Sequence, residues 1–363
     1  MGGCFFLDQL LGYNIPAGVS ARLGFSHPLP LPLPFPFFPL FLLPLIFMKP
    51  LAVGIVGFGN LGKAAEASLL QQTDMTLAGV FSRRQIAHPL YRPMHVLEEG
   101  QAGLDALLLC GGSAKDLPQQ TPHLAQYHNV VDSFDTHALM QQHFEATHKA
   151  AAQAGKVAIL AAGWDPGLFS MMRCLFESVL PQGRGASFWG PGISQGHSDA
   201  LRQLPGVKDA RQYTLPNEEA LKAARAGKPV EKAHKRLCYV VPEEGADLEG
   251  LVHSIQTLPH YFAGYETQVV FISQEELLKK HSPMPQAGHV IRKGATQDAH
   301  EHLMEFSLQL SDNPAFTANV LVACARAACR LHQQGAKGAY TLLDIPLSML
   351  SSSTPAELRQ RLV

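Results

Sequence analysis

The chain has 363 residues, is 46% apolar and 16% charged, and carries a formal net charge of −1. That composition excludes a natively disordered chain, and the length suits two domains, or one domain interrupted by another. With no long basic run it is not built to bind nucleic acid or another polyanion, so a small-molecule ligand is expected.

The first 47 residues are unlike the rest. Residues 28–47 read PLPLPLPFPFFPLFLLPLIF, an apolar run long enough to cross a bilayer. Its seven prolines oppose a membrane helix, because each removes a backbone donor and clashes with the preceding turn. Nor does a charged n-region precede a small-residue cleavage site, as a signal peptide would require. Residues 1–47 are therefore expected to be a disordered or upstream-translated extension, with the folded protein beginning near Met48. A membrane anchor is the lesser alternative, and no membrane partner is expected.

Residues 51–56, LAVGIV, suit a buried parallel strand. Gly57-Phe58-Gly59-Asn60-Leu61-Gly62 follows and leads into a helical segment rich in Ala, Leu and Glu. Strand, G-x-G-x-x-G and helix in that order predict a dinucleotide site: a tight turn at Gly57, close approach of the pyrophosphate at Gly59, and helix-on-strand packing at Gly62. The bland alternative is a glycine turn in an ordinary α/β domain. A second strand, residues 75–81, ends in Ser82-Arg83-Arg84. A carboxylate there would bind the ribose 2′-hydroxyl of NAD; a hydroxyl and two guanidiniums instead suit the 2′-phosphate of NADP.

A third strand, 104–110, ends at Cys110 and runs into Gly111-Gly112-Ser113. A fourth carries Asp132 and then Ser133, Phe134 and Asp135; a fifth delivers Ala162-Gly163-Trp164-Asp165-Pro166. Glycines and acids thus collect at the carboxyl edge of a parallel sheet, where ligands bind in open α/β folds. After a helix over 168–180 the character changes. Residues 188–207 carry Trp189, Ser194, Gln195, Gly196, His197 and Asp199, a binding loop leading into a helix that Ser198 or Asp199 is expected to cap. Segments 213–216, 234–241, 265–272 and 289–294 read as strands of an antiparallel sheet covered on one face, and 317–335 as a long helix packed back on the nucleotide half. The expected class is α/β: a Rossmann-type, doubly wound parallel sheet with an inserted α+β domain. Residues 48–165 would form the dinucleotide-binding domain, completed by 315–363, with 166–314 inserted for substrate binding and dimerisation.

The six cysteines (Cys4, Cys110, Cys174, Cys238, Cys324, Cys329) have no CxxC spacing and read as reduced thiols of a cytoplasmic protein. Seventeen scattered histidines lack a ligand pattern, so no metal site is expected.

Nine segments, GFGNLG, FSRR, LCGGSA, VDSFDTH, AGWDPGLFS, FWGPGISQGHSDALR, YTLP, HKR and NPAFTA, make the chain from Met48 onward resemble the meso-diaminopimelate dehydrogenase family. FWGPGISQGHSDALR is the most specific of them. The resemblance implies reversible NADP-dependent oxidative deamination of meso-diaminopimelate to L-2-amino-6-oxopimelate and ammonia, by a homodimer, in lysine biosynthesis. It places Gly57 to Gly62, Ser82 to Arg84 and Cys110 to Ser113 around NADP, with Ser133 to Asp135 and Ala162 to Pro166 closing that edge. It places Asp135, Asp165 and Trp189 around the substrate, Ser194, Gln195, Gly196 and Asp199 on the loop above it, and Thr214, Arg236 and Asn313 at its unreactive end. Family members carry a His after Met-Pro, where this chain reads Met284-Pro285-Gln286-Ala287-Gly288-His289. Either Gln286 or His289 fills that position.

The chemistry fits those residue types. A substrate with two carboxylates and two ammonium groups needs a guanidinium, for which Arg236 is suited, and several carboxylates. Asp135 and Asp165 lie near the cofactor edge, and Asp165 or a water it orients is a candidate general base; a purely binding role suits it equally. Two other readings remain: another NADP-linked Rossmann reductase of amino acid metabolism, and a non-catalytic NADPH-binding regulator.

Overall fold

The computed structural model describes residues 49–99, 103–259, 261–297 and 300–363, all within one compact unit. The expectations for residues 1–47 lie outside the described residues.

Short runs of β-branched and aliphatic residues form the first layer. In chain order these are β1 (Leu51–Val56), α1 (Asn60–Leu69), β2 (Met75–Ser82), β3 (Tyr91–Pro93), β4 (Ala106–Leu109), α2 (Leu117–Leu124), β5 (Val130–Asp132), α3 (Met140–Ala154) and β6 (Val157–Ile159). An irregular turn over Trp164–Leu168 leads into α4 (Phe169–Val179). There follow β7 (Gly183–Trp189), β8 (Gly192–Ile193), α5 (Gln195–Arg202), β9 (Val207–Pro216), α6 (Glu218–Arg225), β10 (His234–Pro242), α7 (Leu248–Gln256), β11 (Thr267–Phe271), α8 (Gln274–Lys280), β12 (Gln286–Thr296) and β13 (His300–Leu310). The chain returns through α9 (Asn313–Gln333) to β14 (Gly338–Tyr340).

The first layer is a seven-stranded sheet in the order β14-β6-β5-β4-β1-β2-β3, and every pairing in it is parallel. Parallel strands are buried on both faces, which is why these segments read as continuous apolar runs. Along β4, Ala106 and Leu108 face α1 and α9, while Leu107 and Leu109 face α2 and α3. Each fully buried leucine of this kind contributes about 2 kcal/mol. The closing helix expected over 317–335 is α9, and its inner residues Leu321, Val322, Ala325 and Ala328 cover the first of those faces.

The expected antiparallel sheet is divided in two. One has four strands, β11-β10-β9-β8, with β10 and β11 parallel and the other pairs antiparallel; the second has three, β13-β12-β7, all antiparallel. Helices α5 and α7 pack on one face of the larger sheet through Leu201, Leu251 and Ile255 against Ala210, Cys238 and Val240. In the smaller sheet, Phe188 and Ile291 face α6, whereas Val290 faces α4 and Phe169. The cap expected at Ser198 or Asp199 is instead Ser194, whose Oγ accepts from the His197 N–H. Ser198 lies one turn inside α5 and donates its hydroxyl back to the Ser194 carbonyl at 2.7 Å.

Candidate active site

At the carboxyl edge of the parallel sheet β1 gives way to the glycine turn. Gly57 has φ +89°, a left-handed conformation that glycine adopts at no steric cost. A Cβ on Gly62 would lie 2.1 Å from the Gly57 carbonyl oxygen, so α1 reaches this close to the turn only because residue 62 has no side chain. A Cβ on Gly59, by contrast, would meet nothing within 4 Å. Packing of the chain makes no demand for glycine there; the space in front of the first turn of α1, at Asn60 and Leu61, is simply open. A cleft of about 530 Å³ begins at this point, lined by Gly57, Phe58 and Gly59, by Ser82, Arg83 and Arg84, and by Cys110, Gly111 and Gly112.

Arg83 reaches across that cleft to Asp116 at 2.6 Å while remaining three-quarters exposed. The Gly112 N–H donates to the same carboxylate at 2.8 Å and, together with Arg83, holds its pKa below the usual range. The Ser82 Oγ accepts from the Arg84 N–H. Cys110 contributes backbone only: its thiol is buried and pushed up to about 12, which leaves it protonated and unreactive. Phe134 is likewise a core residue, stacked on His143 with ring centroids 4.1 Å apart, so only its backbone belongs to the edge. Ser133 and Asp135 flank it. The Asp135 N–H donates to the Ser113 Oγ at 2.9 Å and the Asp135 side chain is exposed, so two strand ends are tied together beside the cleft.

Beyond β6, Ala162 donates its N–H to the Asp132 carbonyl and Gly163 opens the irregular turn. Trp164 packs against Phe169 in a cluster with Val290 and Leu310 of the inserted half, and Asp165 meets the same half through Trp189. The Asp165 carboxylate is the joint between halves. It accepts from the Trp189 indole N–H at 2.6 Å, and from Arg173 of α4 through both guanidinium nitrogens at 2.5 and 3.3 Å. The Trp189 backbone N–H donates to His234 Nε2 at 2.9 Å, and His234 shares a face of β10 with Arg236.

Arg236 is only 8% exposed, yet no carboxylate of the described residues pairs with it. It donates to Thr214 Oγ1 at 2.6 Å and its guanidinium lies 4.2 Å from the centre of the Tyr265 ring, while its Nε has no partner. Burial draws its pKa below the ordinary arginine value. Burial, reinforced by this cation, also pushes His197 and His234 down to about 4, so both imidazoles are neutral at pH 7. Gly190 (φ +101°) lets the chain run close beneath: a Cβ there would lie 2.0 Å from the Thr214 carbonyl oxygen.

The loop residues gather beside Arg236. Ser194 begins α5 with its Oγ 2.7 Å from His197 Nδ1, Gln195 donates to the Met284 sulfur at 2.9 Å, and Gly196 is open. The Asn313 N–H donates to the Met284 carbonyl, which brings the start of α9 to the same place. Asp199 points elsewhere, paired with Arg202 on the exposed side of α5. His289 is on the opposite face of β12, bonded to Glu305 at 3.0 Å beneath α6. Alternation along the strand puts Gln286 on the face of Trp189, where its side-chain amide donates to the Ile193 carbonyl at 2.5 Å. Of the two candidates, Gln286 is the one beside the loop.

Sequence reasoning missed Arg173, His234 and Tyr265. A signal existed for the first: Arg173 is the one cation in the apolar segment LFSMMRCLFESVL, and a cation on the inner side of such a helix needs an anion.

Residues 163–312 match the model of the diaminopimelic acid dehydrogenase C-terminal domain. A meso-diaminopimelate D-dehydrogenase of Ureibacillus thermosphaericus is 50% identical over 327 residues, which covers 87% of this chain and all of the relative. Among solved structures, C. glutamicum DAP dehydrogenase in complex with DAP superposes with a TM-score of 0.81 at 43% identity, covering 87% of this chain and 100% of that one. An engineered D-amino acid dehydrogenase bound to NADP+ has a TM-score of 0.76 at 42% identity and covers 87% and 100%. With the sheet order, the glycine turn and the Asp165–Trp189 joint in place, the chain belongs to the meso-diaminopimelate dehydrogenase family.

Proposed function

We propose that the chain catalyses the reversible NADP-dependent oxidative deamination of the D-centre of meso-2,6-diaminopimelate, giving L-2-amino-6-oxopimelate and ammonia in lysine biosynthesis. The observation that carries this reading is Arg236: a guanidinium buried without a carboxylate among the described residues is a standing demand for an anion. A substrate carboxylate meets it through a bidentate fork, with Thr214, Gln195, Gln286 and Asn313 close enough to hold the same end. His234 and Trp189 then lead from that end to Asp165, so the far end of an extended diacid arrives at the cofactor edge.

The cradle fits NADP. Open space at Gly59 admits the pyrophosphate to the first turn of α1, whose N–H groups and dipole favour an anion. Ser82, Arg83 and Arg84 would hold the 2′-phosphate. When bound there, NADP+ would supply the acceptor for the hydride of the reacting carbon. Asp165 holds the substrate amino group with a carboxylate already fixed by Trp189 and Arg173; Asp135, exposed at the next strand end, takes the amine proton to solvent. Water then adds to the iminium carbon and ammonia leaves. Stereochemistry follows from fixing both ends, since with the L-centre held near Arg236 only the D-centre can reach the approach of about 3–3.5 Å that transfer requires.

The same reading makes residues 48–165 with 315–363 the dinucleotide-binding domain and 166–314 the substrate-binding and dimerisation domain, in a cytoplasmic homodimer. The five free cysteines among the described residues suit a reducing compartment. Growth of the reduced-nicotinamide absorbance on adding NADP+ and meso-diaminopimelate tests the proposal. No growth with this substrate but growth with another amino acid would make it a different reductase, and NADPH binding without turnover would make it a regulator.

A further inference from the structure

Arg173 touches neither the proposed substrate nor the cofactor edge, yet it is the residue most closely engaged with Asp165. Its guanidinium spans both carboxylate oxygens, at 2.5 Å to Oδ1 and 3.3 Å to Oδ2. It is itself braced by Ser170 Oγ at 3.1 Å and Ser187 Oγ at 3.3 Å. Ser187 lies two residues before Trp189 on the same face of β7, so one guanidinium ties α4, β7 and the turn after β6 into a single rigid corner. The Asp165 side chain is 2% exposed, whereas that of Arg173 is 36% exposed. The exposed side opens into a separate cavity of about 320 Å³, bounded by Arg173, Phe176, Glu177, Ser187 and Arg292. Asp165 is thus shielded from solvent, and the cation that holds it is itself open to that cavity.

We infer that Arg173 is a positioning residue for the deamination: it fixes the Asp165 carboxylate in one rotamer, with Trp189, so that its one remaining acceptor site serves the substrate amino group. A carboxylate has about four acceptor sites. Trp189 and the two Arg173 nitrogens occupy three, and the amino group is left the last. A carboxylate released from Arg173 would rotate about its terminal torsion, which is broad and costs little to turn. The substrate's D-centre would then lose its alignment although its distal end stayed bound. This inference rests on the proposed reaction, and its test separates the two.

The experiment compares wild type, Arg173→Ala and Arg173→Lys in meso-diaminopimelate oxidation, each with and without added guanidinium chloride at millimolar, non-denaturing concentration. Wild-type turnover comes first, because its absence would overturn the proposed reaction and not the role of Arg173. Given turnover, Arg173→Ala should lose about 10²-fold in kcat/KM, mostly in kcat, the scale expected for a misplaced reacting group. The KM for NADP+ should stay within twofold. Guanidinium ion, entering through the cavity, should restore tenfold or more with saturation, and should not stimulate wild type. Arg173→Lys, which offers a point charge in place of a fork, should fall between the two. Should Arg173→Ala fail to fold, Arg173→Lys carries the test: a kcat/KM equal to wild type overturns the inference. So does a folded Arg173→Ala with kcat/KM within threefold of wild type, or one whose loss guanidinium does not relieve.

Discussion

Replacing Arg236 with Met should move catalysis and stability in opposite directions. In the free protein this guanidinium is buried beside two neutral imidazoles and, among the described residues, meets Thr214 Oγ1 and the face of Tyr265 but no carboxylate. Removing it relinquishes one hydrogen bond and one cation–π contact, each about 1 kcal/mol. It also relieves the desolvation of an uncompensated cation, which is several kcal/mol. Met keeps most of the volume and packs against the Tyr265 ring. The net expectation is a stabilisation of about 1–2 kcal/mol, or a rise in Tm of roughly 1–3 °C for a chain of this size. For the substrate the sign reverses: a carboxylate brought to this place without its partner loses about 2–5 kcal/mol, which lowers kcat/KM roughly 30- to 5,000-fold. The assays are differential scanning calorimetry of the ligand-free protein and initial rates with meso-diaminopimelate. A Tm that drops by several degrees would mean that Arg236 serves the fold, and a kcat/KM within threefold of wild type would remove it from the substrate.

The glycine turn gives a second contrast. Gly59→Ala adds a methyl to open space, so Tm should hold while NADP+ binds about tenfold more weakly; Gly62→Ala collides with the Gly57 carbonyl and should cost about 3 kcal/mol or more of stability. Equal effects of the two on Tm would refute the assignment of open space to the cofactor. Asp116→Asn keeps an acceptor for the Gly112 N–H but releases Arg83, so NADP+ should bind a few-fold more tightly, within the limit of about 1 kcal/mol for an exposed pair, and NAD+ no differently. Titration showing weaker NADP+ binding would count against it. Acid should destabilise the free enzyme through His234, whose pKa falls from 6.5 to about 4 on folding: the neutral ring's contribution is complete above about pH 6.5 and is lost as pH falls toward 4. Melting curves of His234→Asn against wild type between pH 7 and 4.5 check this. The variant should lose less Tm than wild type over that range, and parallel losses would sink it.

The nucleotide half was legible because its signals are local. A buried parallel strand announces itself as an apolar run, and the glycine turn follows within six residues. The arginines after β2 follow from where a strand must end. The substrate half was not legible in the same way. Thr214 and Arg236 meet because β9 and β10 pair antiparallel in one register, and nothing in either segment states that register; family resemblance supplied it. The choice between Gln286 and His289 turned on strand parity, since an odd step along β12 reverses the face. Ser194 was overlooked as a cap because the helix starts four residues earlier than the polar cluster suggested. Arg173 was overlooked because its partner sits across an irregular turn, where no helical spacing connects them. The edge strand of the small sheet, β13, carries a clear alternation in EFSLQL that went unread.

Helix α9 and strand β14 belong to the parallel sheet but are the last large pieces of the chain to be made. When translation has just passed Asp165, six of the sheet's seven strands with their partners α2 and α3 exist, while Val53, Ile55, Ala106, Leu108 and Val131 still await the helix that covers them. Roughly 150 residues must be added before it emerges. At about 5–20 residues per second, that leaves an apolar surface bare on the ribosome for on the order of ten to thirty seconds. Nascent chains of this protein therefore have a window in which a holdase can bind them, and shortened messages ending before α9 would yield aggregates in place of a free-standing nucleotide domain.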